Sequence, residues 1–125
     1  MFFCRTRLGY RKKMKIDIYR ESQIIIISLI GRLDINQVHN LEELFYRQVE
    51  VQPAAIAIMM KECTYIDSAA IVSFVRFKNL ARKNRIDLIC YNLNDNIARI
   101  FNIAKMDKYL TIMSENEFLE KYVNR

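Results

Sequence analysis

Glycine and proline are scarce, with two of the first and one of the second in 125 residues. Tight turns lean on glycine for left-handed backbone and on proline for a fixed φ. A loop-rich fold built from many hairpins is therefore excluded. Gly9 and Gly31 are the only glycines, so no glycine-rich phosphate loop can be assembled. His39 is the only histidine, and a nucleophile–base pair built on imidazole has nothing else to draw on. It lies two residues from the polar Gln37 on a predicted helix and reads as a surface residue. Three cysteines, Cys4, Cys63 and Cys90, are widely separated and odd in number. Neither a disulfide framework nor a structural zinc site is expected from them. Reduced thiols in a cytoplasmic protein are the simpler reading. No apolar run approaches the roughly 20 residues that span a bilayer. The start, Met1-Phe2-Phe3-Cys4-Arg5, lacks the charged-then-apolar order of a secretory signal. Membrane insertion is not expected, nor is an enzyme or a cofactor.

What is present is an ordinary globular mixture, 52% hydrophobic and 27% charged, of a length that suits one core. The formal charge of +6 is unevenly spread. Arg5, Arg7, Arg11, Lys12 and Lys13 supply five positives with no acid among them, and removing these from +6 leaves +1 for residues 14–125. Residues 1–13 thus read as a basic arm and 14–125 as one nearly neutral domain. Such an arm can meet phosphate backbones or acidic surfaces. The simpler reading is a solvated tail with no specific nucleic acid.

Along the chain, Lys15 to Arg20 alternates as a half-buried strand, with Glu21-Ser22-Gln23 as a turn. Ile24 to Ile30 is almost continuously apolar and β-branched, a strand covered on both faces, and Gly31 is expected to end it. Asp34 is a good N-cap for an amphipathic helix carrying Ile35, Val38, Leu41, Leu44/Phe45 and Val49, which stops before Pro53. Ala54 to Met60 is a second buried strand. Lys61 to Tyr65 reads as a connecting loop.

The stretch Tyr65-Ile66-Asp67-Ser68-Ala69-Ala70-Ile71 stands where strand character gives way to helix. A carboxylate and a hydroxyl sit side by side at that point. Their oxygens can accept the free N–H groups of a first turn, and those donors also favour a negative group. Ser68 is therefore placed both to cap a helix and to carry a phosphate, and the plainer reading of the residues is the cap alone. The helix runs from about Ser68 to Asn84. Its apolar residues cover more than one stripe, which reads either as a wide core face or as leaving Phe74 or Phe77 partly exposed as a surface for a protein partner. Ile86 to Tyr91 is a further strand. Asn94 or Asp95 caps a helix with Ile97, Ile100 and Phe101. Leu110 to Met113 is a last strand, and Ser114-x-x-Glu117 is a capping box that opens a terminal helix.

The predicted order is β-β-α-β-α-β-α-β-α, an α/β domain with a mixed, mostly parallel sheet and about four helices. Asp34 and Asp67 both follow apolar strands and could share the edge where ligands of open α/β sheets bind. Two carboxylates could hold Mg²⁺, but further ligands are lacking and no metal is expected.

Gly31-Arg32-Leu33-Asp34 after the second strand, Asp67-Ser68 at the second long helix, and Ile97 to Asp107 ahead of the last strand and helix occur in a distinctive order. Together they resemble a STAS domain of the bacterial anti-sigma factor antagonist family, over about residues 15–122. The resemblance implies that Ser68 is the regulatory serine. It implies an anti-sigma factor serine kinase that binds the unphosphorylated form and phosphorylates it, and a serine phosphatase that reverses the mark. Asp34, Asp67, Ser68, Ala69, Phe74 and Phe77 are the expected partner-binding residues, in a monomer. Where the family often continues with a second hydroxyl and a glycine after the serine, this chain has Ala69 and Ala70. An alternative within the same family is a subunit that never carries phosphate, bound to the ATPase of a lipid-transport system. There the Phe74/Phe77 surface would matter and Ser68 would be a cap alone.

Overall fold

The computed structural model describes residues 14–124. The five basic residues of the arm lie outside that range. Strand β1, Lys15–Glu21, turns at Ser22 into β2, Ile24–Leu33. Helix α1, Ile35–Glu50, leads to β3, Ala55–Met59, and then to β4, Cys63–Ile66. Helix α2, Ser68–Lys83, is followed by β5, Asp87–Tyr91, and α3, Asp95–Ile103. Strand β6, Thr111–Met113, precedes α4, Glu115–Phe118, which runs into a π-helical turn over Leu119–Val123. The terminal segment is thus a short helix with a wider last turn rather than one regular helix.

The main sheet has the order β1-β2-β3-β5-β6, with β4 paired to β2 off that path. The β1–β2 pair is antiparallel and the other pairings are parallel. Period-two alternation divides the core. Ile25, Ile27, Leu29, Ile56, Ile58, Leu88 and Cys90 share one cluster with the buried faces of α1, α2 and α3. Ile24, Ala55, Ala57, Ile89 and Tyr91 share the other with Phe118 of α4, whose ring stacks on Tyr91 at 4.1 Å. Helices on both faces explain why the central strands read as unbroken apolar runs.

Two expectations are corrected here. Residues 61–65 are not simply a loop, because Cys63 to Ile66 form β4. The strand is four residues long with only its ends buried, so it carries no alternation to detect. The element order is therefore β-β-α-β-β-α-β-α-β-α. Gly31, for its part, does not end β2. It adopts φ 103°, a value a side chain would oppose, and the strand continues to Leu33 through a register shift. Up to Ser28 β2 pairs with β3, and from Gly31 onward with β4. The Gly31 N–H donates to the Glu62 carbonyl at 3.0 Å, which fastens the crossing.

Phe74 and Phe77 are both 0% exposed, so neither forms a partner surface. Three residues apart on a helix, they point about 60° from one another, within one wide buried stripe. Phe77 stacks on Phe45 of α1 at 4.1 Å, while Phe74 meets Phe101 of α3 edge-on at 5.8 Å. Each ring fills the seam to a different neighbouring helix. Val72, half exposed, is the apolar residue that α2 leaves outside.

Candidate functional site

The bulge at Gly31 sets the site. Beyond it Arg32 pairs with Tyr65 and Leu33 with Ile66, in parallel. The next residues are Asp34 and Asp67, so both carboxylates leave the sheet side by side at one edge. Their backbones are nearly identical, with φ −108° and ψ −177° at Asp34 and φ −111° and ψ −175° at Asp67. This extended geometry is what an N-cap requires. Asp34 Oδ1 accepts from the Asn36 N–H at 3.0 Å. Asp67 Oδ1 accepts from the Ala70 N–H at 3.1 Å.

Asp67 also does something that Asp34 does not. Its second oxygen, Oδ2, accepts from the N–H of Ile35, the first residue of α1, at 3.0 Å. One carboxylate therefore satisfies donors of two helices and ties their starts together. With both oxygens committed to N–H groups, Asp67 is a cap and a bridge, a poor candidate for holding a cation. Among the described residues no group of three or more His, Cys, Asp or Glu side chains could hold a metal ion.

Ser68 does not cap α2, a role that Asp67 takes; it is the first residue of the helix, and it is exposed. Ala69 beside it is half-buried. None of the hydrogen bonds among the described residues uses the N–H of Ser68 or Ala69. The hydroxyl is thus accessible, next to donors that none of the described protein groups occupies. Around it lie apolar side chains that the fold leaves uncovered: Ile35 at 68% exposure, Val72 at 50% and Tyr65 at 36%. The Arg32 guanidinium sits 4.4 Å above the Tyr65 ring.

Three supports of this edge escape a reading by local pattern. Asn94 caps α3 through Oδ1, which accepts from the Ile97 N–H at 3.0 Å. Its amide nitrogen donates to the carbonyls of Met60, Lys61 and Cys63, at 3.3, 3.0 and 2.7 Å. Asn96 Nδ2 donates to the Thr64 carbonyl at 3.0 Å. The start of α3 therefore holds the segment that delivers Asp67 and Ser68. Between α1 and α2, Glu42 accepts from the buried Ser73 hydroxyl at 2.7 Å and from Arg76 at 3.2 Å. Asparagine at a predicted cap was the one visible signal. The amide's other partners lie more than 30 residues away.

The two described thiols are buried. Burial pushes Cys63 from 9.0 up to about 11, partly opposed by a backbone hydrogen bond at Tyr65. Burial pushes Cys90 up to about 12. Neither is a nucleophile near neutral pH. His39 is exposed and lies 3.8 Å from Glu43, as a surface residue should. No helix among the described residues is long and apolar enough to cross a membrane.

Known proteins share this fold. The family model described as the STAS domain matches residues 15–118. The anti-sigma-B factor antagonist of Bacillus subtilis (strain 168) is 24% identical over 104 residues, covering 83% of this chain and 94% of the relative. An anti-sigma factor antagonist from Mycobacterium paratuberculosis superposes with a TM-score of 0.76 at 14% identity, covering 90% of this chain and 97% of that one. SpoIIAA in its unphosphorylated form superposes with a TM-score of 0.66 at 13% identity, covering 87% and 96%. At these identities the structural likeness is one of fold.

Proposed function

The chain belongs to the STAS domain family, and from that premise we propose that it is an anti-sigma factor antagonist switched by phosphorylation of Ser68. In this reading the unphosphorylated protein binds an anti-sigma factor that is also a serine kinase. Phosphorylation ends the complex, and a serine phosphatase restores it. The protein acts in the cytoplasm by binding rather than by catalysis, with residues 14–125 as its domain.

The observation that carries the reading is the surroundings of Ser68. Its hydroxyl is exposed on the first turn of a 16-residue helix, beside Asp67 and among the uncovered Ile35, Val72 and Tyr65. A phosphoserine brings about −1.5 to −2 charges at pH 7. The start of α2 tolerates that charge through its dipole and free N–H groups. A partner surface fitted to a neutral hydroxyl and apolar neighbours does not, because an unpaired charge in a closed interface costs several kcal/mol. Binding is then lost without refolding. Ser68 and Ala69 touch the partner directly, with Ile35 and Val72 as added contacts. Asp34 and Asp67 position them. The constitutive transport-subunit alternative relied on an aromatic surface at Phe74 and Phe77, and with both rings buried no observation favours it.

The test is affinity capture from native lysate with wild-type, Ser68→Ala and Ser68→Asp baits, read by mass spectrometry. A serine kinase of the anti-sigma type is expected with the first two. Its affinity for Ser68→Asp should fall by roughly 100-fold. Equal recovery with Ser68→Asp would rule out the switch.

A further inference from the structure

At the far end of α2, about 24 Å from Ser68 by the rise of a 16-residue helix, lies a cleft of about 450 Å³. Its rim carries Lys78 and Arg82 from α2, Arg85 from the turn after it, and Lys121 from the C-terminal π-helical turn. Its floor includes the buried Ile86 and Leu88. Four cations surround one acid, Asp87, whose carboxylate already accepts from the Tyr122 hydroxyl at 3.1 Å.

A basic last turn is favourable to any helix dipole, but that does not account for this arrangement. Arg85 lies beyond the helix at φ 60°, and Lys121 arrives from another element. Among the described residues no acidic side chain forms a salt bridge with Arg82 or Arg85. Lys78 has only the face of Tyr109, at 5.9 Å.

The backbone adds nothing for a phosphate, whose sites at helix starts use free N–H groups. Here the chain presents a helix end, and the N–H groups of Asn84, Arg85 and Ile86 are all consumed by carbonyls of Leu80, Ala81 and Arg82. What remains is side-chain cations spread around one cleft. That pattern matches carboxylates spaced along a polypeptide.

We propose that this cleft docks an acidic segment of a protein partner, independently of Ser68 and at the opposite end of the molecule. The probe is a fluorescein-labelled dodecapeptide of repeated Glu-Glu-Leu, followed by fluorescence anisotropy with the full chain. The Arg82→Gln/Arg85→Gln protein should bind it roughly tenfold more weakly. Lys12→Gln/Lys13→Gln, which removes the same charge from the arm, should change binding less than twofold, as should Ser68→Asp. Backbone amide signals of Ile86 to Leu88 should shift on titration. Thermal midpoints near wild type establish that the variants fold, and Lys78→Gln provides an independent lesion on the same rim. Equal weakening by the cleft and arm variants would overturn the proposal, as would loss confined to the arm variant. Displacement of the peptide by ATP at lower concentration than by unlabelled peptide would overturn it in favour of a phosphate ligand.

Discussion

The starts of α1 and α2 are near copies that have been given different work. Each follows a strand, each opens with an aspartate in the same extended geometry, and they lie side by side. Asp34 serves only its own helix, whereas Asp67 serves both. After Asp34 comes an exposed isoleucine, and after Asp67 an exposed serine. The difference separates two roles that cap chemistry alone would merge. One end supplies an apolar contact. The other supplies a modifiable hydroxyl and the bond that fixes the first end's distance from it.

That division can be broken deliberately. Asp67→Ala should be the most damaging cap change, costing about 2–3 kcal/mol, because a helix cap and a charged bond to Ile35 are lost together. Chemical denaturation would read it. A cost no larger than that of Asp34→Ala would mean that the bridge contributes nothing. Gly31→Ala should cost about 1–2 kcal/mol, the penalty for a side chain in left-handed backbone. It should also slacken the pairing of β4, seen as faster amide exchange at Tyr65 and Ile66. Asp34→Ala should cost about 1 kcal/mol. A double-mutant cycle with Asp67→Ala then measures how far the two caps depend on each other.

The weakest lever acts on the strands rather than the caps. The strand delivering Asp67 begins with buried Cys63, whereas the strand delivering Asp34 has no cysteine. Folding holds Cys63 and Cys90 protonated, with values raised from 9.0 to about 11 and about 12. Above pH 8 the unfolded chain loses these protons first, so stability falls as pH rises. From the two thiols the loss at pH 9 relative to pH 7 is about 1 kcal/mol. Cys63→Ala should remove about half of that slope in denaturation curves collected between pH 7 and pH 9.

The alternation of β1, the apolar runs of β2, β3 and β5, and the three- and four-residue spacing in α1 made most of the layers legible from sequence. Cap chemistry likewise exposed Asp34, Asp67 and Ser114 as helix starts. What stayed hidden depended on distance. Strand β4 has four residues and takes its identity from the stretch of β2 beyond Gly31, a glycine that reads locally as a stop. The 60° offset between Phe74 and Phe77 on one helix is compatible with exposure or burial until α1 and α3 are in place. The second oxygen of Asp67 finds its donor 32 residues upstream. No local pattern encodes that bond.

Helix caps are commonly interchangeable, and Asp, Ser or Thr would start α3 about as well as Asn94 does. Position 94 does not allow that exchange. Its nitrogen holds three carbonyls of the segment before α2, and none of the replacements carries an amide. Asp would set a carboxylate against those oxygens, leaving α3 intact while the ground beneath Ser68 came loose. A substitution scored as neutral for the helix it starts would register instead in a helix it does not belong to.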